Sequence, residues 1–101
     1  MYYQVLISAE NEAQAQKLLD ALLEKKLILG GPILKGPAKF WWKGGIVAMD
    51  YAYIVTYTLA SLKDKLIEVA ESVSEEEVPM ISFLAMEGND KLLKLLDETL
   101  K

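Results

Sequence analysis

Hydrophobic and polar residues alternate at the start of the chain and then change to a helical repeat. The alternation from Tyr2 to Ser8 predicts a first strand. From Asn11 to about Lys26, leucines recur at helical spacing, and Asn11 with Gln14 has the spacing of a capping box. The chain therefore opens with a strand and an amphipathic helix.

The next segment predicts a strand that glycine and proline interrupt. An extended pattern resumes at Leu27–Leu29 and continues from Ile33 to Trp42, with interruptions at Gly30-Gly31-Pro32 and at Gly36-Pro37. Glycine and proline inside a strand favour a bend, a bulge or an edge position. We therefore expect strand two to be irregular.

The residues Lys43-Gly44-Gly45 predict a tight hairpin turn. The strand that follows, from Ile46 to Thr58, is largely apolar or aromatic on both of its faces. A strand with one face in a core and the other in water would alternate with polar residues instead. Strand three therefore needs apolar cover on both sides.

The last part of the chain predicts a helix, a strand and a final short helix. We expect Ser61 to cap the second helix, with Asp64 in its first turn. A polar connector, Ser74–Glu77, leads into strand four from Val78 to Met86. Asn89 is the expected cap of the last helix.

This order, β-α-β-β-α-β followed by a terminal helix, predicts a single α+β domain over residues 1–101 with a ferredoxin-like fold. Such a fold has one four-stranded antiparallel sheet with both helices on one face. The other face stays open, although strand three is apolar there too. The chain is also 52% hydrophobic, which is more than one small domain needs. We therefore predict a homo-oligomer whose sheets pack around a closed symmetry axis.

Charge and composition exclude several classes of partner. The chain has 11 basic and 15 acidic residues and a net charge of −4, which disfavours nucleic acids and anionic membranes. The longest uncharged run, Tyr51–Leu62, is shorter than the roughly 20 residues of a membrane-spanning helix. No signal-peptide pattern opens the chain, and the lack of Cys is compatible with a reducing cytoplasm, where we expect the protein.

Catalytic chemistry has few candidates in this composition. The sequence contains no Cys, His or Arg, so it lacks thiol nucleophiles, the usual proton shuttle and bidentate ligands for anions. No glycine-rich phosphate loop is present. We therefore predict that the protein is not an enzyme and has no cofactor, apart from a weakly bound divalent cation.

Two groups of residues are candidate metal ligands. Met80 and Met86 lie on one face of strand four and could form a thioether site, although methionine more often fills a core. Glu75, Glu76 and Glu77 could attract a hard cation, but three adjacent side chains do not converge on one point. Glu76 and Glu77 are therefore weak candidates for a metal site.

The aromatic residues are candidates for a ligand cleft or a subunit interface. Trp41 and Trp42 place one indole on each face of the sheet, where they could stack on a ligand or pack at the hairpin. Tyr51, Tyr53 and Tyr57 share one face of strand three and suit a contact that is apolar with one wet end. The sequence leaves both interpretations open for each group.

Four short segments together resemble the CutA family of divalent-cation tolerance proteins. They are Phe40-Trp41-Trp42-Lys43-Gly44, Glu77-Val78-Pro79, Ala21-Leu22-Leu23-Glu24-Lys25-Lys26-Leu27 and Glu87-Gly88-Asn89. They occur in the family's order, at nearly its spacing, and cover almost the whole chain. The resemblance implies a ferredoxin-like fold, a tight homotrimer, a kinship in shape with the nitrogen-regulatory PII proteins and a link to divalent-ion tolerance.

The chain departs from the family pattern where the resemblance implies polar or metal-binding residues. The family's Cys falls at about Gly30, and its acidic pair falls at Val47 and Ala48. A Lys of the family pattern falls at Tyr57, and a Glu falls at Met80. Its H-P-Y segment becomes Ser74-Glu75-Glu76. The inter-subunit cleft that the resemblance implies is therefore substantially apolar here, with Met80 among its candidate residues.

Two functions are therefore expected. The first is a CutA-like, non-catalytic trimer associated with divalent metal ion tolerance, in which the family's metal ligands are largely lost. The alternative is a regulatory module similar to PII or ACT domains, which binds a small metabolite between subunits.

Overall fold

The computed structural model describes residues 1–100, which form one sheet and three α-helices. The elements are β1 (Tyr2–Ala9), α1 (Glu12–Glu24), β2 (Ile33–Trp42), β3 (Gly45–Leu59), α2 (Lys63–Val73), β4 (Ile81–Met86) and α3 (Asp90–Leu100). All paired strands are antiparallel, in the order β2-β3-β1-β4. This arrangement confirms the predicted α+β fold with a ferredoxin-like sheet and a terminal helix. None of the helices in residues 1–100 is long and apolar enough to cross a membrane.

α1 begins where the sequence predicts because Asn11 supplies a hydrogen-bond acceptor to its first turn. The backbone of Asn11 is extended, and its Oδ1 accepts the Gln14 N–H at 2.9 Å. The side chain of Gln14 donates to Glu75 instead of closing the capping box. Leucines at helical spacing then place Leu18 and Leu22 in the core.

The main core lies between one face of the sheet and the two helices α1 and α2. Strand alternation turns Val5 and Ile7 of β1 and Ile54 of β3 toward these helices, where all three are fully buried. Leu22 of α1 and Leu66 of α2 pack in the same cluster. Burial of apolar side chains of this size contributes about 1.5–3 kcal/mol each, so this layer holds the helices against the sheet.

α3 packs on the opposite face of the sheet, which we expected to be free of helices. Leu96 and Leu100 are buried against Leu59 at one end of that face, and the Tyr2 hydroxyl donates to Asp97 Oδ2 at 3.0 Å. The expectation that the helices leave this face open was therefore wrong at that end. In the sequence, Leu92, Leu93, Leu96 and Leu100 recur at helical spacing and indicate an apolar partner for this helix. They do not specify which face of the sheet the helix meets.

Strand two is shorter and more regular than predicted. The segment Leu27–Pro32 is not part of the strand, although two backbone hydrogen bonds of 3.0 and 3.1 Å keep it beside β3. β2 itself runs through Gly36 and Pro37 without a break in its register. Pro37 is tolerated because β2 is an edge strand, where an N–H is not needed on the solvent side.

Two further boundaries differ from the prediction. Ser61 lies in a short 3-10 turn, Ala60–Leu62, and Leu62 at the start of α2 makes no side-chain capping bond. The predicted Ser61 cap was therefore wrong. β4 begins at Ile81 instead of Val78, and Val78 is exposed in the connector that precedes the strand.

The β2–β3 hairpin projects beyond the core. Its turn residues Lys43 and Gly44 both have positive φ, 49° and 85°, as a two-residue type I′ turn requires. The molecule measures 43 × 24 × 20 Å and has a radius of gyration of 14.0 Å, against about 13 Å for a compact domain of this size. Apolar residues are exposed on both faces of the hairpin, namely Trp41 and Ile46 on one face and Trp42, Val47 and Met49 on the other.

A substitution at Gly31 tests how closely the segment before β2 approaches β3. A Cβ atom on Gly31 would lie 2.0 Å from the backbone oxygen of Val55, whereas one on Gly36 would meet nothing within 4 Å. We expect Gly31→Ala to lower the free energy of unfolding by about 1–3 kcal/mol, and Gly36→Ala to change it by less than about 1 kcal/mol. Urea unfolding at one fixed protein concentration measures both variants, and equal losses would contradict this close approach.

Candidate functional site

Glu76 lies at the centre of a hydrogen-bond network that connects the segment before β4 to the sheet. Its carboxylate accepts the Ser8 hydroxyl at 2.6 Å through Oε1 and the Tyr51 hydroxyl through Oε2. Ser8 is fully buried and in turn accepts the Met80 N–H at 2.8 Å. Each oxygen of the Glu76 carboxylate therefore has its own hydroxyl donor, and these groups hold one another in place.

Two tyrosines beside Glu76 are stabilised in the neutral form. Burial, followed by the hydrogen bond to Glu76, raises the pKa of Tyr51 well above its ordinary value of 10.0. Burial and the negative charge of Glu76 also raise the pKa of Tyr53. The Tyr51 phenol is therefore a fixed donor. Its preference for the neutral form adds stability that is present below about pH 10 and is lost as the pH rises above that value.

A groove of about 450 Å³ lies between the hairpin and the segment before β4. Its apolar lining consists of Phe40, Trp42, Val47, Met49, Val78 and Met80, together with Trp41, whose indole lies on the other face of the hairpin. At its inner end Phe40 packs edge-on against Tyr51, with ring centroids 4.9 Å apart. We call this space the aromatic groove. It is lined by aromatic rings and methionine sulfur atoms, and both are polarizable.

Three carboxylates line the aromatic groove, those of Glu10, Glu76 and Glu77, and no basic side chain of residues 1–100 does so. Lys43 approaches from the hairpin turn, with its Nζ 3.2 Å from Glu77 Oε2 and 5.4 Å from the centroid of the Trp42 ring. The Lys43–Glu77 pair is largely exposed, so it contributes little to stability. The groove therefore combines aromatic walls with an excess of negative charge.

Six of the ten residues that the sequence suggested as metal ligands or cleft residues come together in the aromatic groove, whereas Met86 lies in the apolar cluster under α3. The six are Trp41, Trp42, Tyr51, Glu76, Glu77 and Met80. A seventh, Tyr53, borders the groove, because its hydroxyl lies 4.0 Å from the Met80 sulfur. Tyr57 lies elsewhere, in the apolar cluster under α3.

Ser8, Glu10 and Met49 also belong to the network and groove, and the sequence did not suggest any of them as a site residue. Ser8 lies 68 positions from Glu76, and no local pattern connects residues so far apart. One signal was available, because strand alternation places Ser8 on the face opposite Ile7 and beside Tyr53. A buried polar residue on a largely apolar face needs a hydrogen-bond partner there.

The three consecutive acids Glu75, Glu76 and Glu77 point to different partners. Glu75 points to α1, where the hydrogen bond from the Gln14 amide lowers the pKa of its carboxyl. Glu76 points to the sheet, and Glu77 points to the hairpin turn. Within residues 1–100, no three Asp, Glu, His or Cys side chains converge as ligands of one metal ion. These donors therefore do not fit a tightly bound divalent cation, which needs several converging ligands.

Comparison with other proteins identifies the family. The family model described as CutA1 divalent ion tolerance protein matches residues 3–99. The chain belongs to this family. Its structure is similar to that of Archaeoglobus fulgidus CutA, described as a periplasmic divalent cation tolerance protein, with 24% identity over 100% of both chains and a TM-score of 0.95. It is also similar to Pyrococcus horikoshii CutA1, with 24% identity over 100% of this chain and 99% of that chain and a TM-score of 0.91. The divalent cation tolerance protein of Thermus thermophilus has 26% identity over 100% of both chains and a TM-score of 0.87. No curated protein matches the chain in sequence.

Membership of the CutA1 family confirms the resemblance drawn from the sequence. Three positions where that resemblance implies other residues, Val47, Glu76 and Met80, all line the aromatic groove. Two others lie away from the groove: Gly30 exchanges hydrogen bonds of 3.1 Å with the Thr56 hydroxyl, and Tyr57 packs under α3. Three of the positions at which the resemblance implies other residues therefore lie around one surface feature.

A substitution at Ser8 tests whether the hydrogen-bond network around Glu76 stabilises the fold. Ser8→Ala leaves the Met80 N–H and Glu76 Oε1 without their partner, so we expect it to lower the free energy of unfolding by about 1–3 kcal/mol. Ser82→Ala changes the same residue type at an exposed position of β4, and we expect a change below about 0.5 kcal/mol. Both are measured by urea unfolding at fixed protein concentration. A loss in Ser8→Ala no larger than in the control would show that the network adds no stability.

Proposed function

We propose that this CutA1 family member is a cytoplasmic homotrimer that takes part in divalent-ion tolerance by binding and not by catalysis. The observation that carries the proposal is the exposure of apolar side chains on both faces of the projecting hairpin. Trp41 is 77% exposed and Ile46 is 63% exposed on one face, and Trp42 is 41% exposed on the other. Contacts with neighbouring copies of the chain would remove these side chains from water.

The two apolar faces of the hairpin favour a ring of subunits over a twofold dimer. In a twofold dimer the contact is made by the same patch on both subunits. A hairpin that is apolar on two faces offers two different patches, which suits head-to-tail contacts between successive subunits. Head-to-tail contacts close into rings, and three subunits make the smallest such ring. The trimer that the family resemblance implies is therefore the assembly that this surface supports best.

A binding role is supported by the state of the polar groups in the aromatic groove. The Tyr51 phenol keeps its proton near neutral pH and already donates it to Glu76, so this phenol is not available as a general base. The sequence supplies no Cys or His as a nucleophile or base. The lack of Cys is compatible with a reducing compartment.

Divalent cations would bind weakly in this proposal, through the carboxylates of Glu76 and Glu77. A cation at Glu77 has to displace Lys43, and a cation at Glu76 has to compete with two hydroxyl donors. Imidazole and thiolate are the side-chain groups that best suit copper, and the sequence contains neither His nor Cys. The role in ion tolerance would then be indirect.

A second candidate function is a regulatory module similar to PII or ACT domains, which binds a small metabolite between subunits. The observation that favours it is the aromatic groove, whose volume of about 450 Å³ lies within the roughly 300–1,000 Å³ of small-molecule sites. Its hairpin wall belongs to the same surface that the proposed subunit contacts cover.

The trimer is tested by the mass of the protein in solution. We expect light scattering at micromolar concentration to give three times the 11.3 kDa of one chain. Trp41→Glu places a charge on an exposed apolar face of the hairpin and is expected to reduce the mass toward that of one chain, because burying an unpaired charge is costly. Leu23→Glu makes the same kind of change at a 40% exposed position of α1 and is expected to leave the mass unchanged. A native protein with the mass of one chain would refute the trimer.

Weak metal binding is tested by calorimetric titration with copper(II) at neutral pH. We expect a dissociation constant above the micromolar range, because the carboxylates do not converge. The double variant Glu76→Gln, Glu77→Gln is expected to weaken this association further, and a Glu68→Gln variant on α2 serves as a control. Submicromolar affinity in the native protein would contradict this proposal.

A further inference from the structure

The charge balance of the aromatic groove selects for cations. Glu10, Glu76 and Glu77 line it, and the Lys43 ammonium beside it is paired with Glu77 at the rim. An anionic ligand would have to approach uncompensated carboxylates. A neutral ligand would remove water from Glu76 without replacing its interaction with positive charge. Both alternatives are therefore disfavoured by electrostatics.

The aromatic walls favour an organic cation. The faces of tyrosine and tryptophan rings attract ammonium groups through their quadrupoles, most strongly where water is excluded. The structure already contains one such contact, because the Lys43 ammonium lies 5.4 Å from the centroid of the Trp42 ring and 3.2 Å from Glu77 Oε2. An alkylammonium placed between an indole and a carboxylate is thus an arrangement that the rim of this groove accommodates.

Glu76 supplies a second, preorganised acceptor at the inner end of the groove. Its carboxylate is fixed by the hydroxyls of Ser8 and Tyr51, and it retains free lone pairs, since a carboxylate has about four acceptor positions. An incoming ammonium group can donate to these lone pairs without moving the side chain. A fixed acceptor costs little reorganisation on binding.

The remaining walls suit an apolar ligand body. Phe40, Val47, Met49 and Met80 offer apolar contact beside the carboxylate, in a space of about 450 Å³ that matches small-molecule sites. A divalent cation would gain nothing from these walls and would keep most of its hydration shell. The groove therefore fits a monovalent cation that carries an apolar group.

We propose that the aromatic groove binds a small organic ammonium ion with an apolar or aromatic body, its ammonium group donating to Glu76. The proposal names the ligand class for the binding role proposed above, and rests on that role. All of the residues that carry it belong to one chain, although the hairpin wall of the groove also borders the proposed subunit contacts.

Titration with three probes of one shape and different charge tests the proposal. The probes are phenethylamine, phenethyl alcohol and phenylacetate, followed by tryptophan fluorescence and by calorimetry at neutral pH. We expect the amine to bind at least about tenfold more tightly than the alcohol, and the acid to bind more weakly than both. Equal affinity of amine and alcohol would overturn the proposal. Absence of binding by all three probes at millimolar concentration would also overturn the proposal. That is the result expected if the hairpin of a second copy fills the groove.

Matched variants locate the binding site. Glu76→Gln keeps the size of the side chain and is expected to lower amine affinity at least about tenfold while leaving alcohol binding unchanged. Glu75→Gln removes the neighbouring charge, which points to α1, and is expected to change amine affinity less than about twofold. Trp42→Leu is expected to weaken the amine more than the alcohol, because it removes the ring face and keeps an apolar wall. Equal losses in Glu75→Gln and Glu76→Gln would refute the assigned site.

The same samples separate this proposal from the trimer. The mass of each variant in solution is measured by light scattering, and its folding is checked by circular dichroism before titration. A trimer that binds no amine refutes the ligand class and leaves the assembly intact. A single chain that binds the amine refutes the assembly and leaves the ligand class intact.

Discussion

The hydrogen-bonded pairing of β3 with β1 ends at Ala52, while β3 continues outward from Tyr51 to Gly45 paired only with β2. The 15 residues of β3 span roughly 45 Å, whereas the 13 residues of α1 span about 20 Å. The helices therefore cover the inner part of the strand and cannot reach the outer part. Backbone hydrogen bonds hold the hairpin together there, but its apolar side chains find no cover within the chain. The shape of the molecule and its exposed surface both follow from this difference in length.

The aromatic groove arises where the sheet changes from four strands to two. Tyr51 is the first residue of β3 beyond the pairing with β1, and it is nevertheless 6% exposed. The segment before β4 lies at this step, where β1 has ended. Glu76 connects the segment to Tyr51 and Ser8 by hydrogen bonds. A polar network at such a step fixes a loop that has few apolar contacts of its own. The groove is thus a product of topology, and its chemistry comes from the few side chains that the step brings together.

Most of the fold could be predicted from local patterns, because burial on one side of an element leaves a period in the sequence. Strand alternation identified β1 and β3, helical spacing identified α1 and α2, and Lys43-Gly44 identified the hairpin turn. The position of α3 could not be predicted, since its leucine stripe only indicates that it packs against something apolar. The course of β2 was misjudged at Gly36-Pro37, because an edge strand tolerates residues that a central strand does not.

The candidate site was predicted less completely than the fold. The aromatic residues and the acids were recognised by type, and the structure places Trp42, Tyr51 and Glu76 around one groove. The hydroxyl of Ser8 was not recognised, because its role depends on a partner 68 positions away. Tyr57 shares a strand face with Tyr51 but lies under α3. A shared face therefore does not establish a shared site when another element covers part of it.

Pro37 has a consequence for the outer edge of the sheet. An edge strand of 10 residues with free N–H and C=O groups is a template on which other extended chains can add and grow into fibrils. Pro37 lies near the middle of this edge, flanked by Lys35 and Lys39. The missing N–H of Pro37 interrupts the row of backbone donors, and the exposed Lys39 adds a charge; both are features that limit pairing between sheet edges. These residues therefore disfavour the addition of further strands along the outer edge of the sheet.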